Sequence, residues 1–377
     1  MTPLEADCVE TIIIGGGQAG LSAAYHLRRK GRPFLVLDAG ERTGDAWRDR
    51  WDSLHLFTPA LYSSLPGMHF PAPAWSFPTK DEMGDYLESY AEHFGLAVRS
   101  GVSVHELTRD GDRFRVSAGD LHLEASNVIV ATGAHRIPKI PLFAAELDPR
   151  IVQLHSVEYR NPGQLLEGDT LLVGAGNSGA EIAYELADTR HCLVAGPSTG
   201  QIPVRHGTRR SGVGFRAFRF FAHHMVRVDT RIGRSLGPKL TSGGEPLIRR
   251  RKKDLAAKGI ERLPRLVGIQ NGLPLLEDGR VVDVANVVWC TGFRSDFGWI
   301  DLPAFDEAGR PRHYRGVVES EPGLYFLGLV FQYSLSSDAL PSRGRDAEYI
   351  ADHIAARNTG GARRAAPAAV ERGAAVA

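Results

Sequence analysis

The chain has 377 residues, of which 43% are hydrophobic and 24% are charged, the balance of an ordinary folded protein. These values exclude a disordered chain, a collagen and a coiled coil, and no apolar stretch approaches the roughly 20 residues that a transmembrane helix requires. The first ten residues include three acids and no basic region, so we expect no secretory signal and a cytoplasmic location. At roughly 150 residues per domain, the length predicts two to three domains.

The first predicted elements form a strand, turn, helix and strand in succession. Residues 9–14 are mostly β-branched and predict a strand, which leads into the glycine-rich segment 15–20. A helical pattern follows over residues 21–30, and a second apolar run over residues 34–37 ends at Asp38. This order defines a βαβ unit.

Residues 47–78 are rich in aromatic residues, Pro and His, and they predict an irregular loop. Thr79 and Glu82 have the spacing of a capping box, which predicts a helix that begins there and ends near Phe94. Four short strands are predicted next, and the turns between the first three indicate a small antiparallel meander. The four strands cover residues 102–107, 113–117, 121–124 and 127–130.

A second βαβ unit is predicted from residue 170 onward. Its elements repeat the order of the first unit: strand 170–173, glycine-rich segment 174–179, helix 180–187 and strand 192–195. Three further core elements are predicted: strand 286–290, buried strand 323–328 and helix 346–356. The tail, residues 358–377, is rich in Ala, Gly and Arg and is predicted to be disordered.

Both glycine-rich segments match the GxGxxG pattern between a strand and a helix, where this pattern predicts a dinucleotide site. In the first segment, Gly15 permits a tight turn, Gly17 lets a diphosphate approach the backbone, and Gly20 lets the helix pack on the strand. The bare N–H groups at the helix start would hold the diphosphate. Asp38 follows the second strand, where it is placed to accept hydrogen bonds from ribose hydroxyls.

The second site differs from the first at the ribose position. By spacing, the residue that corresponds to Asp38 is Pro197, so no carboxylate is present to bind a free 2′-hydroxyl. Hydroxyl and basic residues follow it: Ser198, Thr199 and Arg205. This composition favours a 2′-phosphate, and therefore NADP over NAD. Two such sites predict FAD on the first and NADPH on the second, with hydride passing from nicotinamide to flavin.

Candidate cofactor ligands lie on the glycine-rich segments, at strand ends and in the loops that follow them. For FAD they are Gly15, Gly17, Gln18, Ala19, Gly20, Asp38, Ala39, Trp47, Arg48, His55, Val104, Thr132, Gly133, Gln332 and Ser336. For NADPH they are Gly174, Gly176, Asn177, Ser178, Gly179, Ser198, Thr199, Arg205, Thr291 and Gly292. No catalytic residue is assigned, but three residues are flavin-proximal candidates because irregular loops often carry sites: His55, Thr58 and Gln332.

The three cysteines, Cys8, Cys192 and Cys290, are far apart and form neither a CxxC nor a CxxxxC pair. Each is interpreted as a small buried hydrophobic residue. Since disulfide reductases use such a pair, the spacing excludes that class of flavoenzymes. It also gives no zinc site, and no metal is expected.

The ordered motifs resemble those of the flavin-containing monooxygenases, in particular the compact bacterial flavoproteins and the plant YUCCA-type enzymes of that family. The resemblance covers roughly residues 8–356, and the order of the motifs is more specific than any one of them. Besides the two glycine-rich segments and Asp38, it is carried by segments 44–48, 50–59, 77–80, 131–133, 155–159 and 289–293.

The fingerprint of that family, FxGxxxHxxx(Y/F), is only half present. His155 and Tyr159 match its second half, whereas Pro149 and Ile151 stand at the Phe and Gly positions. The residue after Tyr159 is Arg160, where the Baeyer–Villiger branch has Trp, so ordinary Baeyer–Villiger chemistry is disfavoured.

The resemblance implies an α/β fold of two Rossmann-like dinucleotide-binding domains, with the antiparallel meander in the FAD domain. The predicted FAD domain has two parts, 1–160 and 291–357, and the NADPH domain covers 161–290 with a basic insertion at 205–253. The resemblance also implies a monooxygenase in which NADPH reduces the flavin and O₂ adds to give a C4a-(hydro)peroxyflavin. One oxygen atom then passes to a small organic substrate, either a soft nucleophile or an oxo-acid or other carbonyl compound.

Two alternatives to oxygenation stay open on the sequence. One is a reductase or oxidase that uses NAD(P)H to reduce its flavin and inserts no oxygen. The other is a flavin redox sensor or transport-associated regulator with negligible turnover. The oligomeric state is not predicted.

The basic insertion, residues 205–253, holds fourteen Lys or Arg and only two acids, so it attracts anions. Service to NADPH is its favoured role. A weak peripheral membrane contact is the second interpretation, because Phe218, Phe220 and Phe221 lie among the arginines. Nucleic acid is not expected, since no binding motif accompanies the charge. The cluster 249–253 is interpreted as a solvated helix face.

Overall fold

The computed structural model describes residues 8–133, 137–202, 220–235, 246–337 and 340–364. The strands are β1 (Cys8–Ile14), β2 (Phe34–Leu37), β3 (Val98–Arg99), β4 (Glu106–Asp110), β5 (Arg113–Ala118), β6 (Leu121–Val130), β7 (Ile137–Pro138), β8 (Val152–His155), β9 (Thr170–Val173), β10 (Cys192–Ala195), β11 (Glu261–Leu263), β12 (Leu266–Gln270), β13 (Leu273–Leu276), β14 (Asn286–Trp289), β15 (Phe293–Arg294) and β16 (Leu324–Phe326).

The α-helices are α1 (Gln18–Arg29), α2 (Asp45–Arg48), α3 (Lys80–His93), α4 (Asn177–Leu186), α5 (Lys252–Ala257) and α6 (Leu340–Arg364). Shorter turns of helix are of the 3₁₀ type, at Ala60–Tyr62, Leu142–Glu146 and Pro162–Gln164, and of the π type at Phe221–Met225. None of the helices within the described ranges is both long and apolar enough to cross a membrane.

The first sheet has the order β3-β2-β1-β6-β5-β4, and β16 pairs with β6. Its strands β1, β2, β3 and β16 run parallel to their neighbours, whereas β4, β5 and β6 form an antiparallel meander. The predicted strands 121–124 and 127–130 are one continuous strand, β6. Its first half pairs with β5 and its second half with β16, because the meander is the edge of the dinucleotide sheet and not a separate layer.

The second sheet is entirely parallel, with the order β11-β10-β9-β14-β8. Its central strands β9, β10 and β14 are buried along their whole length, as expected for a parallel sheet covered on both faces. Strand β8 was not predicted, and it lies within the first predicted domain segment, 1–160. In the structure it pairs with β14 and so extends the second sheet.

The last helix is longer than predicted. The pattern predicts a helix over residues 346–356, whereas α6 extends from Leu340 to Arg364 and packs on α1. It therefore continues into the tail that was predicted to be disordered, 358–377, because alanine and arginine favour helix. Residues 365–377 lie outside the described part of the chain.

Part of the basic insertion packs on the loop that precedes α6. The N–H of Val228 donates to the carbonyl of Tyr333 (2.9 Å), and the N–H of Leu335 donates to the carbonyl of Val226 (2.9 Å). Phe220 and Phe221 are exposed, whereas Phe218 lies outside the described residues. A membrane contact through this segment stays a prediction.

Candidate active site

The first glycine turn joins β1 to α1, and its glycines have separate reasons to lack a side chain. Gly15 has φ +111°, and a Cβ there would lie 2.6 Å from the carbonyl oxygen of Ala131. A Cβ on Gly20 would overlap the carbonyl oxygen of Gly15. Gly17 has an ordinary φ of −76° and open space where its Cβ would stand. The fold therefore requires glycine at positions 15 and 20, whereas the open space at Gly17 leaves room for a bound ligand.

The start of α1 is not capped by the protein. Gly17 is the N-cap residue, no side chain caps the helix, and its first turn contains no acid. Helix N-termini carry unpaired N–H groups and a partial positive charge, which together bind phosphate. A bare N-terminus beside the open face of Gly17 fits the diphosphate of FAD. Gln18 and Ala19 stand in this first turn, and their contact with FAD stays a prediction.

Asp38 lies at the carboxyl end of β2, beside this turn. Its carboxylate accepts hydrogen bonds from the N–H groups of Gly16 and Gly40, the latter at 2.7 Å. These two bonds fix the carboxylate at the position where the ribose of a bound dinucleotide is expected. The N–H of Val102 donates to the carbonyl of Asp38 (2.8 Å), which brings the segment containing the buried Val104 next to it.

The second glycine turn, between β9 and α4, repeats this geometry. Gly174 has φ +118°, and a Cβ there would overlap the carbonyl oxygen of Cys290. A Cβ on Gly179 would overlap the carbonyl oxygen of Gly174, and Gly176 faces open space at φ −79°. Gly176 is also an N-cap residue without a side-chain cap. The second turn therefore fits a second dinucleotide diphosphate for the same reasons as the first.

Asn177 and Ser178 stand in the first turn of α4, but the Asn177 side chain has protein partners. Its Oδ1 accepts from the N–H of Ile248 (2.9 Å), and its Nδ2 donates to the carbonyl of Pro246 (3.3 Å). This amide ties the end of the basic insertion to the second glycine turn. Ser178 is half-buried. Contact of either residue with NADPH stays a prediction.

The alignment of the two units by spacing is wrong by one residue at the ribose position. Gly15 donates its N–H to the carbonyl of Leu37, and Gly174 donates its N–H to the carbonyl of Ala195, both at 2.8 Å. The residue that follows is Asp38 in the first unit and Gly196 in the second. The structural counterpart of Asp38 is therefore Gly196 and not Pro197, because the second unit is one residue shorter between turn and strand end.

Two of the predicted 2′-phosphate ligands beyond this position, Ser198 and Thr199, make hydrogen bonds to backbone. Ser198 Oγ accepts from the N–H of Gly200 (3.2 Å), and Thr199 Oγ1 donates to the carbonyl of Ala175 (3.5 Å). Both lie in the loop after β10, next to the second glycine turn. Arg205 lies outside the described residues.

Trp47 and Arg48, predicted to flank the flavin, both lie on α2. The indole N–H of Trp47 donates to Oε1 of Gln18 (3.2 Å), so this ring lies beside the start of α1. The guanidinium of Arg48 contacts the carbonyl of Thr43 and three carboxylates: Asp45, Asp85 and Glu88. Arg48 thus holds α2 against α3, and its assignment to FAD stays a prediction.

The three flavin-proximal candidates differ in what their side chains do. His55 is exposed, and its Nδ1 lies 3.1 Å from the carbonyl of Ser53. Thr58 pairs with the hydroxyl of Ser63 at 2.9 Å. Gln332 is 1% exposed, and its Oε1 accepts from the N–H of Gly328 (2.9 Å). The geometry gives the Gln332 side chain a structural role in the loop before α6, so a cofactor contact there would come from backbone.

Ser336, the other FAD candidate in that loop, is buried. Its hydroxyl lies 3.0 Å from the Ser334 hydroxyl and 3.4 Å from Nδ1 of His223 in the basic insertion. Ala39, by contrast, is exposed and follows Asp38 after the carboxyl end of β2. These observations do not show what Ser336 or Ala39 binds, and the assignment of both residues to FAD stays a prediction.

Two further glycines end the strands that face the glycine turns. Gly133 (φ +76°) follows Thr132 after β6, and Gly292 (φ +83°) follows Thr291 after β14; both have open space at the Cβ position. The hydroxyl of Thr291 donates to the carbonyl of Lys139. The two glycines occupy equivalent places in the two units, and the approach of their backbone to a cofactor stays a prediction.

His155 lies at the end of β8 in the second unit, beside the segment that follows β14. It is fully buried, its Nε2 lies 3.1 Å from the carbonyl of Gly292, and its Nδ1 accepts from the N–H of Val157 (3.3 Å). These partners require a neutral ring with the proton on Nε2. Burial lowers the pKa of His155, with the carbonyl contact partly opposing that shift. His155 thus positions the backbone at Gly292.

The interpretation of residues 249–253 as a solvated helix face is wrong for Arg249. Only Lys252 and Lys253 of this cluster belong to α5. The side chain of Arg249 is 17% exposed, and it donates to the carbonyls of His55 (2.6 Å) and Leu56 (2.9 Å). It joins the NADPH unit to the loop with flavin-proximal candidates. No sequence pattern distinguishes it from its four basic neighbours, so sequence reasoning missed it.

The fold and the two bare glycine turns define the class: an oxidoreductase that binds two dinucleotides in one chain. A family model described as pyridine nucleotide-disulphide oxidoreductase matches residues 12–195. A CzcO-like oxidoreductase of Geobacillus kaustophilus is 39% identical over 92% of this chain and 98% of its own length. The rice indole-3-pyruvate monooxygenase YUCCA1 is 34% identical over 46% of this chain and 44% of its own.

Among solved structures, the flavin-containing monooxygenase of Stenotrophomonas maltophilia superimposes with a TM-score of 0.74 at 28% identity, covering 93% of this chain and 99% of that one. The chain belongs to the flavin-containing monooxygenase family. The predicted family, α/β fold and oxidoreductase class are confirmed. The predicted cofactors, FAD and NADPH, are those of this family and fit the two sites.

Proposed function

We propose that this protein is an FAD-dependent monooxygenase that consumes NADPH and O₂ and inserts one oxygen atom into a small organic substrate. The observation that carries the proposal is the pair of uncapped helix starts, at Gly17 and Gly176, with matching geometry in one chain. One site holds the flavin and the other its hydride donor. When bound, FAD would supply the oxygen chemistry, which we propose to pass through a C4a-(hydro)peroxyflavin.

The chain's own residues bind, orient and separate the cofactors. The start of α1 and the carboxylate of Asp38 hold FAD, and the start of α4 holds the diphosphate of NADPH. Arg249 connects the second unit to the loop that contains His55 through the His55 carbonyl, and His155 positions the backbone at Gly292 within the second unit. Positioning the two cofactors relative to each other is the contribution that we assign to the protein scaffold.

Dithiol chemistry is disfavoured by the state of the described cysteines. Burial raises the pKa of both Cys192 and Cys290 to about 12, so neither thiol is ionised near neutral pH. They lie in different strands or strand ends of the second sheet and are not joined by a disulfide. The match to a disulphide oxidoreductase family model therefore supports the dinucleotide fold and not that reaction.

The substrate class follows from the relatives and is part of the proposal. YUCCA1 is named for indole-3-pyruvate, a 2-oxo acid. A first substrate panel should therefore contain 2-oxo acids with an aromatic side chain, alongside simple amines and sulfides. Oxygenation of any member, measured as product that carries one atom from ¹⁸O₂, supports the proposal.

The mechanism is tested by rapid mixing. The purified protein is reduced anaerobically with NADPH, mixed with oxygenated buffer, and followed through its flavin spectrum. We expect reduction by NADPH and then an adduct that precedes reoxidation and lasts longer with NADP⁺ bound. Direct return to oxidised flavin with stoichiometric peroxide, in the presence of each substrate of the panel, would indicate a reductase or oxidase. Failure of NADPH to reduce the flavin would contradict the proposal.

A further inference from the structure

The ribose position of the NADPH unit has no side chain. Gly196 stands where the FAD unit has Asp38, as the matching hydrogen bonds from Gly15 and Gly174 show. The facing position in the glycine turn shows the opposite difference in size. Gly16 of the FAD unit contacts Asp38, whereas the corresponding residue of the NADPH unit is the larger Ala175. A Cβ on Gly16 would lie 2.5 Å from the Asp38 carboxylate. The second unit is therefore built without room for the carboxylate that binds a free 2′-hydroxyl.

An arginine from the adjacent strand reaches this position. Arg262 lies on β11, where it pairs with Val194 of β10, and its guanidinium donates to the carbonyl of Gly196 (2.9 Å). Val36 of β2 corresponds to Val194 of β10. In the FAD unit, the residue that pairs with Val36 on the neighbouring strand β3 is Val98, which packs against the hydrophobic core. A basic residue thus replaces an apolar one at the strand beside the ribose position.

The charge of Arg262 is not neutralised within the described part of the chain. No carboxylate there lies within ion-pair distance of Arg262, whereas Arg250 and Arg280 of the same unit pair with Glu181 and Asp278. Arg262 is exposed, so its guanidinium is accessible to a ligand from solvent. A guanidinium has five N–H donors and stays charged in proteins. With one bond to Gly196, it keeps donors for an anion.

We propose that Arg262 binds the ribose 2′-phosphate of NADPH and makes this site select NADPH over NADH. The inference rests on the proposed function, since it assumes that the second unit binds a nicotinamide dinucleotide. It differs from the sequence prediction, which assigned the 2′-phosphate to residues that follow β10. Planar guanidinium groups match phosphate through paired hydrogen bonds, which a lysine or hydroxyl does not reproduce.

The test is binding of two small probes to the FAD-loaded protein. 2′,5′-ADP carries the 2′-phosphate and 5′-ADP does not, so calorimetric titration with each isolates that phosphate. We expect Arg262→Ala to weaken 2′,5′-ADP about ten- to a hundredfold, the usual value of charge-assisted hydrogen bonds, and to leave 5′-ADP unchanged. Arg150→Ala is the matched control: it removes an exposed arginine, next to β8 of the same sheet, that pairs with Asp148, and it should change neither affinity.

Steady-state kinetics supply a second readout. Arg262→Ala should lower the ratio of kcat/KM for NADPH to that for NADH by a similar factor, and Arg262→Lys should lie between it and the wild type. FAD content and unfolding midpoint show whether a variant is folded. If Arg262→Ala loses FAD, Arg262→Gln replaces it, since glutamine keeps a donor for the Gly196 carbonyl.

Three results would overturn the inference: unchanged 2′,5′-ADP affinity in a folded Arg262 variant, equal loss of 2′,5′-ADP and 5′-ADP, or a wild type that does not distinguish the two probes. Failure of the proposed function is separate. A wild type that binds 2′,5′-ADP through Arg262 but is not reduced by NADPH supports the inference and contradicts the monooxygenase.

Discussion

The glycines of the two turns fall into two groups: some are required for backbone packing, and others leave space for a ligand. Gly15 and Gly20 are required because a side chain would meet backbone of the same fold, whereas Gly17 and its counterpart Gly176 face open space with ordinary backbone angles. A sequence motif gives all of these glycines equal weight. The structure separates those that build the turn from those that leave room for a ligand.

This separation predicts opposite phenotypes for two neighbouring substitutions. Gly17→Ala should fold, because its φ of −76° suits alanine, but it should bind FAD at least about tenfold more weakly through loss of close approach to the diphosphate. Gly20→Ala should fail to fold, since its Cβ would overlap the Gly15 carbonyl. The measurements are flavin content after purification and FAD titration of the apoprotein.

Gly176→Ala is the matched control in the other unit. It should retain FAD and bind NADPH more weakly, because the same open face belongs to the second turn. Loss of FAD from Gly176→Ala with full FAD in Gly17→Ala would show that the two sites have been assigned the wrong way round.

At the scale of elements, α3 shows how local sequence fixes a helix that matters for the site. The Thr79 hydroxyl accepts from the N–H of Glu82 (3.1 Å), and the Glu82 carboxylate accepts from the N–H of Thr79 (2.7 Å). This capping box was predicted from the sequence and is confirmed. Thr79 also bridges to His55. The start of α3 therefore anchors the loop that carries a flavin-proximal candidate.

Removal of this cap has a calculable cost. Thr79→Ala should lower the free energy of unfolding by about 1 kcal/mol, the usual value of an N-cap hydroxyl. Thr79→Ser keeps the oxygen and should stay within a few tenths of a kcal/mol of the wild type. Urea unfolding followed by far-UV circular dichroism measures both. Equal destabilisation by the two variants would mean that the methyl group and not the cap is responsible.

At the scale of the whole molecule, burial keeps several histidines neutral. Burial is the main cause that lowers the pKa of His26, His155 and His313. A histidine with a lowered pKa in the folded state binds its proton first in the unfolded chain, so stability is present above the ordinary pKa of about 6.5 and is lost as pH falls below it. Glu185, whose pKa burial raises, opposes this trend.

The expected result is a lower urea midpoint at pH 5.5 than at pH 7.5. The lowered pKa values of Asp148, Asp278 and Asp306 add their own loss only below about pH 4, so histidine dominates this interval. His155→Gln should shrink the difference between the two midpoints, because it removes one of the three groups. A midpoint that rises on acidification would contradict the assignment of neutral buried histidines.

The sequence by itself determined the local units of this protein. The glycine-rich segments, the flanking apolar strands and the Thr79 cap depend on contacts between residues close in the chain, so their patterns predicted elements close to those observed. The order of these motifs also sufficed for the family. Three features could not be predicted from local patterns: strand β8, the continuity of β6 and the length of α6. They depend on pairing and packing with elements distant in the sequence.

Only the tertiary structure decided which side chains meet at the sites. The ribose position of the second unit is Gly196 in the structure, whereas counting residues predicted Pro197. Strand register decides which residue lies at the end of a strand, and counting residues does not. Arg262 and Arg249 are distant in sequence from Gly196 and His55, and nothing local marks them among the chain's many basic residues. A motif specifies a backbone shape through nearby residues, whereas a binding site is completed by side chains that neighbouring strands and loops bring from elsewhere.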